Sequence, residues 1–147
     1  MAQQQNLEQI IYMAKDDEDD RLLFLEAAAE LEIPVRVVQT ADGNELLEAL
    51  KKTECLPDVI FLDINMPCCN GFVCLKEIRS AEGDLRRVKI IMLSTSSSSI
   101  HIQISYKFGG DYYAVKPGTY QGLRELLEKV LNDFESLKKD MKKFLNT

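Results

Sequence analysis

The sequence predicts an α/β fold: a five-stranded parallel sheet, doubly wound, with helices on both faces. Three observations predict it. Five short apolar runs, each near five residues, recur along the chain. A helical pattern follows each run, and acids, hydroxyls or a lysine stand directly after four of them. Buried parallel strands read as continuous Ile- and Val-rich runs, because helices cover both faces of their sheet. Strand–helix alternation then implies βαβ units with right-handed crossovers.

The elements follow in order. Ile10–Ala14 is the first strand, and a helix follows over about Asp19–Leu31, with Asp17 or Asp19 as its cap. Val35–Val38 is the second strand, leading to a helix near Gly43–Lys51. Val59–Leu62 is the third, ending in Asp63, with a helix at Phe72–Ser80. Lys89–Leu93 is the fourth, and Ser98–Phe108 the helix after it. In that helix Ile102 and Ser105 fall on a core arc, while Ile100 and Ile104 lie one turn apart on an exposed one. Tyr112–Val115 is the fifth strand, and the last helix spans Tyr120–Phe144. Its apolar residues Leu123, Leu127, Val130, Phe134, Leu137, Met141 and Phe144 are spaced as in a heptad seam. Covering the sheet needs this stripe only to about Phe134. The chain therefore reads as one domain over 1–147, with a core of about 7–131 and a helical extension over 132–147.

Composition narrows the functions. The chain has 147 residues and a formal net charge of −6, which argues against a nucleic-acid groove or an anionic membrane as partner. No apolar run approaches the roughly 20 residues of a membrane span. The N-terminal MAQQQNLEQ has neither a basic segment nor a long apolar one, so no signal peptide is expected and a cytoplasmic address follows. Cys55, Cys68, Cys69 and Cys74 lack the separated-pair spacing of a zinc site, and His101 is the only histidine. Free thiols are expected.

In open α/β sheets a ligand site lies beyond the carboxyl ends of the strands, at a topological switch point. That edge should gather Lys15, Asp16 and Asp17 after the first strand, Asp63 after the third, Ser94 and Thr95 after the fourth and Lys116 after the fifth. Singly each has an ordinary reading, as a cap, a turn or a solvated charge. Their joint placement points to a site.

The runs DDEDD, FLDINMPCCNG, IIMLSTS and YYAVKPGT carry a specific resemblance. Over about Leu7 to Leu131 the chain resembles the receiver domain of two-component response regulators, close to the single-domain chemotaxis-regulator type. The resemblance implies a flavodoxin-like (βα)5 fold with strand order 2-1-3-4-5. It implies that Asp63 accepts a phosphoryl group from a sensor histidine kinase or phosphotransfer protein, as a carboxylate nucleophile. Asp16 and Asp63 would bind Mg²⁺ through side chains and Asn65 through its backbone carbonyl. Lys116 would pair with the phosphoryl group, and Pro117 would follow a cis bond. Ser94 would be the switch hydroxyl, and Tyr113 the aromatic that rotates inward when it moves. No enzyme is implied beyond this self-phosphorylation and its reversal. With only about 30 residues after the fifth strand, signalling is expected to pass by protein contact in a phosphorelay.

One position departs from the family pattern. Aligned on its downstream residues, AKDDEDDRLL puts Lys15 where the first of two acids belongs. A one-residue slip would pair Asp16 with Asp17 but bury Lys15 within the strand. An ammonium about 4 Å from Asp63 would interact with it by roughly 4 kcal/mol at an effective dielectric near 20, enough to compete with a divalent ion. Alternatively Lys15 turns outward on its flexible stem. Two rivals follow from other classes. A haloacid dehalogenase-type phosphatase also places an aspartate nucleophile after a strand, but here its general-acid position is Asn65. A degenerate receiver, acting as an unphosphorylated docking module, draws its support from Lys15. The extended last helix further predicts a homodimer through the fourth and fifth helices.

Overall fold

Strands form where apolar side chains concentrate in short runs, and helices begin where a short polar side chain caps them. The computed structural model describes residues 8–66, 69–132 and 134. Its strands are β1 (Gln9–Ala14), β2 (Val35–Thr40), β3 (Val59–Leu62), β4 (Lys89–Ser94) and β5 (Tyr112–Val115). Its helices are α1 (Glu18–Ala29), α2 (Gly43–Lys52), α3 (Gly71–Arg79), α4 (Ser99–Lys107) and α5 (Tyr120–Asn132). A 3-10 turn at Gly83–Arg87, which the sequence did not announce, links α3 to β4.

All five strands are parallel, in the order β2-β1-β3-β4-β5, as a flavodoxin-like fold requires. The two-residue period of a strand sorts its side chains onto two faces. Tyr12, Ile60, Leu62, Ile90 and Met92 pack with Leu46, Leu50, Leu75, Ile78 and Ile102 from α2, α3 and α4. Ile11, Met13, Phe61, Ile91 and Leu93 pack with Phe24, Ala27 and Ala28 of α1 and Leu123, Leu127 and Val130 of α5. Each of the Leu, Ile, Val, Phe and Met side chains among them contributes about 1.5–3 kcal/mol when fully buried. β3 is buried at all its positions and anchors both layers.

The caps explain the helix starts. Asp17 accepts from the Asp19 N–H at 2.9 Å, which settles Asp17 over Asp19 as the cap of α1. Asp42 accepts from the Glu45 N–H at 2.9 Å, and the Glu45 carboxylate reaches back to the Ala41 N–H at 2.9 Å. Asn70 caps α3 by accepting from the Val73 N–H at 3.0 Å.

Helix α5 buries Leu123, Leu127 and Val130, and Phe134 beyond it is buried as well, the portion of the stripe expected to cover the sheet. Leu137, Met141, Phe144 and the rest of the predicted extension lie outside the described residues. In α4, Ile102 and Ser105 are buried and Ile100 is 65% exposed. Ile104 is half-buried, so the exposed strip is narrower than the sequence implied. Among the described residues no helix is long and apolar enough to cross a membrane.

Candidate functional site

The strand order sends the chain from β1 outward to β2 and back to β3 on β1's other side. That reversal opens a crevice at the carboxyl ends of β1 and β3. Ala14 and Leu62 are paired across the ladder, so the next residues, Lys15 and Asp63, emerge side by side. The Asp63 N–H donates to the Ala14 carbonyl at 3.1 Å. Behind them the Lys15 N–H donates to the Thr40 carbonyl at 3.2 Å, and the Lys116 N–H to the Ser94 carbonyl at 2.7 Å. Sheet hydrogen bonds thus fix the backbone of every strand that contributes a group.

The Asp63 side chain is 15% exposed. One carboxylate oxygen, Oδ1, accepts from the Ile64 N–H at 2.8 Å. The other, Oδ2, faces the Lys15 Nζ at 3.6 Å. Burial pushes the Asp63 pKa above the ordinary carboxylate range, and nearby Asp16 adds to that rise. The Lys15 ammonium and the Ile64 hydrogen bond pull it back, but burial wins. Gly71, which opens α3, lies against the same residue. A Cβ there would stand 2.2 Å from the Asp63 carbonyl oxygen, so only glycine fits.

Lys15 is 5% exposed, which corrects the option that it turns outward. An ammonium enters such a place only with charge partners, and it has two: Asp63, and Asp20 Oδ2 at 3.9 Å. Arg21 secures the turn by donating from Nη1 to the Lys15 carbonyl at 2.6 Å. Asp20 also holds Lys116, whose Nζ donates to its Oδ1. Lys116 therefore pairs with Asp20 and not directly with Asp63. The Lys116–Pro117 bond is not cis, contrary to the family expectation. An X–Pro bond favours trans by about 0.5–1 kcal/mol unless tertiary contacts override that preference.

Asp20 was missed in the sequence, where it passed as part of an acidic run. It stands one helical turn after Asp16, and two converging lysines call for a second carboxylate. That count was its available signal.

Asp16 and Asn65 are exposed at the rim. Ser94 is 1% exposed, and its hydroxyl accepts from the Ser96 N–H at 3.2 Å. Tyr113 already lies inward, 1% exposed, donating its hydroxyl to the Ser96 carbonyl at 2.7 Å. The Ser96 hydroxyl in turn meets His101 Nδ1 at 2.8 Å, which ties the loop after β4 to α4.

Mg²⁺ demands near-ideal octahedral oxygen geometry at about 2.0–2.1 Å. Of the donors expected for it, Asp63 has Oδ1 bound to an amide and Oδ2 against an ammonium. The pocket does not fit the ion, because Lys15 already supplies positive charge at the oxygen the ion would take. Among the described residues, Cys55, Cys69 and Cys74 are free thiols.

Comparison with known proteins agrees with the geometry. The response regulator receiver domain family matches residues 10–128. A chemotaxis protein CheY homolog of Campylobacter jejuni is 37% identical over 95 residues, covering 65% of this chain and 72% of its own length. The crystal structure of the phosphorylated cyanobacterial phytochrome response regulator RcpA superposes with a TM-score of 0.76 at 30% identity, covering 84% of this chain and 93% of that one. The receiver domain of sensor histidine kinase PA1611 from Pseudomonas aeruginosa, with a magnesium ion coordinated in its active-site cleft, shares the fold with a TM-score of 0.69 at 24% identity. It covers 83% of this chain and 96% of that one. A family match over most of the chain, on a sheet whose switch point holds a carboxylate between β1 and β3, establishes that the chain belongs to the response regulator receiver domain family.

Proposed function

We propose that Asp63 accepts a phosphoryl group from the phosphohistidine of a sensor kinase or phosphotransfer protein, and that the domain signals by protein contact. The observation that carries this is the Asp63 carboxylate itself. One oxygen is fixed by the Ile64 amide and the other is aimed at an ammonium in the switch-point crevice. Oδ2 attacks phosphorus, the P–N bond breaks, and its electron pair returns to the imidazole of the donor. Positioning and charge neutralisation are most of what such a transfer needs. Lys116, one carboxylate away on Asp20, then shifts to the new phosphoryl oxygens. Ser94 exchanges its bond from the Ser96 amide for one to phosphate, which alters the loop that Tyr113 and His101 brace. A cytoplasmic setting suits this partnership.

Incubating the chain with acetyl phosphate or a kinase donor, followed by intact mass, tests the reading. One phosphoryl adduct is expected, labile to hydroxylamine and absent in Asp63→Asn. Lys116→Ala should keep the adduct but lose the response in the β4–α4 loop. No adduct with any donor would leave an unphosphorylated docking module as the function, and a persistent adduct in Asp63→Asn would move the acceptor elsewhere.

A further inference from the structure

We propose that Lys15 does the charge-neutralising work of a divalent cation, so that Asp63 accepts its phosphoryl group without a metal ion. This rests on Asp63 being the acceptor. Three observations converge on it. The ammonium is 3.6 Å from Oδ2, the attacking oxygen, and the carboxylate's other oxygen is already held by an amide. The Lys15 side chain is inside the domain and not at its rim, so the charge is resident. And Asp20 lies between Lys15 and Lys116, one carboxylate oxygen toward each.

Together Lys15, Lys116, Asp20 and Asp63 are two formal positive and two formal negative charges, a balanced set. Transfer replaces the single charge of Asp63 with the two of a phosphoryl group. Lys15 already stands beside the acceptor oxygen, and Lys116 is joined to Lys15 through Asp20. An ammonium is a point charge with three rotatable donors on a flexible stem, so it can follow an oxygen that moves from carboxylate to phosphate. A metal ion bound beside it would share the same oxygen with a like charge. Lys15 touches the reacting atom, and its role is electrostatic stabilisation of the transfer.

The test uses the full chain with acetyl phosphate, in EDTA and in excess MgCl₂. Oδ2 attacks phosphorus, the P–O bond to the acetyl group breaks, and acetate leaves. The wild-type adduct should form in EDTA at a rate within about tenfold of that in Mg²⁺. Lys15→Asp should lose roughly 100-fold in EDTA and recover in Mg²⁺, as expected when one stabilising group is removed from a transition state. Lys15→Met should lose as much in EDTA, which separates removal of the cation from addition of an anion. Titrating Mn²⁺ by water proton relaxation gives a readout without phosphorylation: Lys15→Asp should bind and the wild type should not. An adduct in the wild type only with Mg²⁺ overturns this inference and leaves Asp63 as the acceptor. Equal rates for wild type and Lys15→Asp in EDTA also overturn it. No adduct under either condition overturns both this and the reading it rests on.

Discussion

Asp63 stands between two opposing influences, burial that raises its pKa and the Lys15 ammonium that lowers it. Lys15→Met removes the larger of the lowering influences, so the carboxyl should titrate at higher pH still, measurable by carbonyl carbon NMR. The sign for stability follows. A carboxyl whose folded pKa is raised contributes stability that is present at low pH and lost as pH rises through the folded value. The melting temperatures of wild type and Lys15→Met should therefore diverge as pH climbs above the ordinary aspartate range, with the variant losing more. A constant difference across that range would mean that Lys15 and Asp63 do not interact. Sequence reasoning placed Asp63, Lys15 and Ser94 correctly at the strand ends, because apolar runs mark where strands stop. It left the direction of Lys15 open, since a long aliphatic stem reaches either water or a carboxylate. Only the positions of Asp63 and Asp20 decide between them.

At the scale of elements, α3 begins where it does because Gly71 lets its backbone close on Asp63. Gly71→Ala should cost about 1–3 kcal/mol in urea denaturation, the usual penalty for forcing a methyl group into filled space. It should also slow phosphorylation, because the Asp63 backbone must yield. Helix α4 is the weaker of the two helices that flank β5. It has nine residues, a long capping contact of 3.5 Å at Ser98 and an exposed Ile100, whereas α5 seats a continuous apolar stripe. Amide exchange should accordingly be faster in α4 than in α5, and slower exchange in α4 would contradict this. The five strands were legible because each carries a short apolar run, interrupted in β2 only by Arg36, and the five helices because each has a cap or a stripe. The 3-10 turn was not, since GDLRR has no buried residue and too few positions to show a period.

For the whole molecule, the 4-3 spacing of apolar residues in the sequence continues past Phe134 to Leu137, Met141 and Phe144, which lie outside the described residues. Phe134 completes the cover of the sheet, with Lys89 over its ring at 4.3 Å. We propose that a second copy of the chain covers these remaining apolar positions. The full chain is expected to sediment as a dimer at tens of micromolar, and a truncation after Glu135 as a monomer. A monomeric full chain, with and without phosphodonor, would exclude that assembly. The strand order carries one more consequence. Lys15, Asp63 and Lys116 follow β1, β3 and β5, separated by most of the chain, and their cluster with Asp20 closes only after the non-local strand pairings have formed. Chemical competence at Asp63 is therefore expected to report on the cooperative transition. Titrated with urea, acetyl phosphate labelling should disappear at the same midpoint as the far-ultraviolet circular dichroism, and labelling that vanished earlier would reveal a crevice that opens before the sheet does.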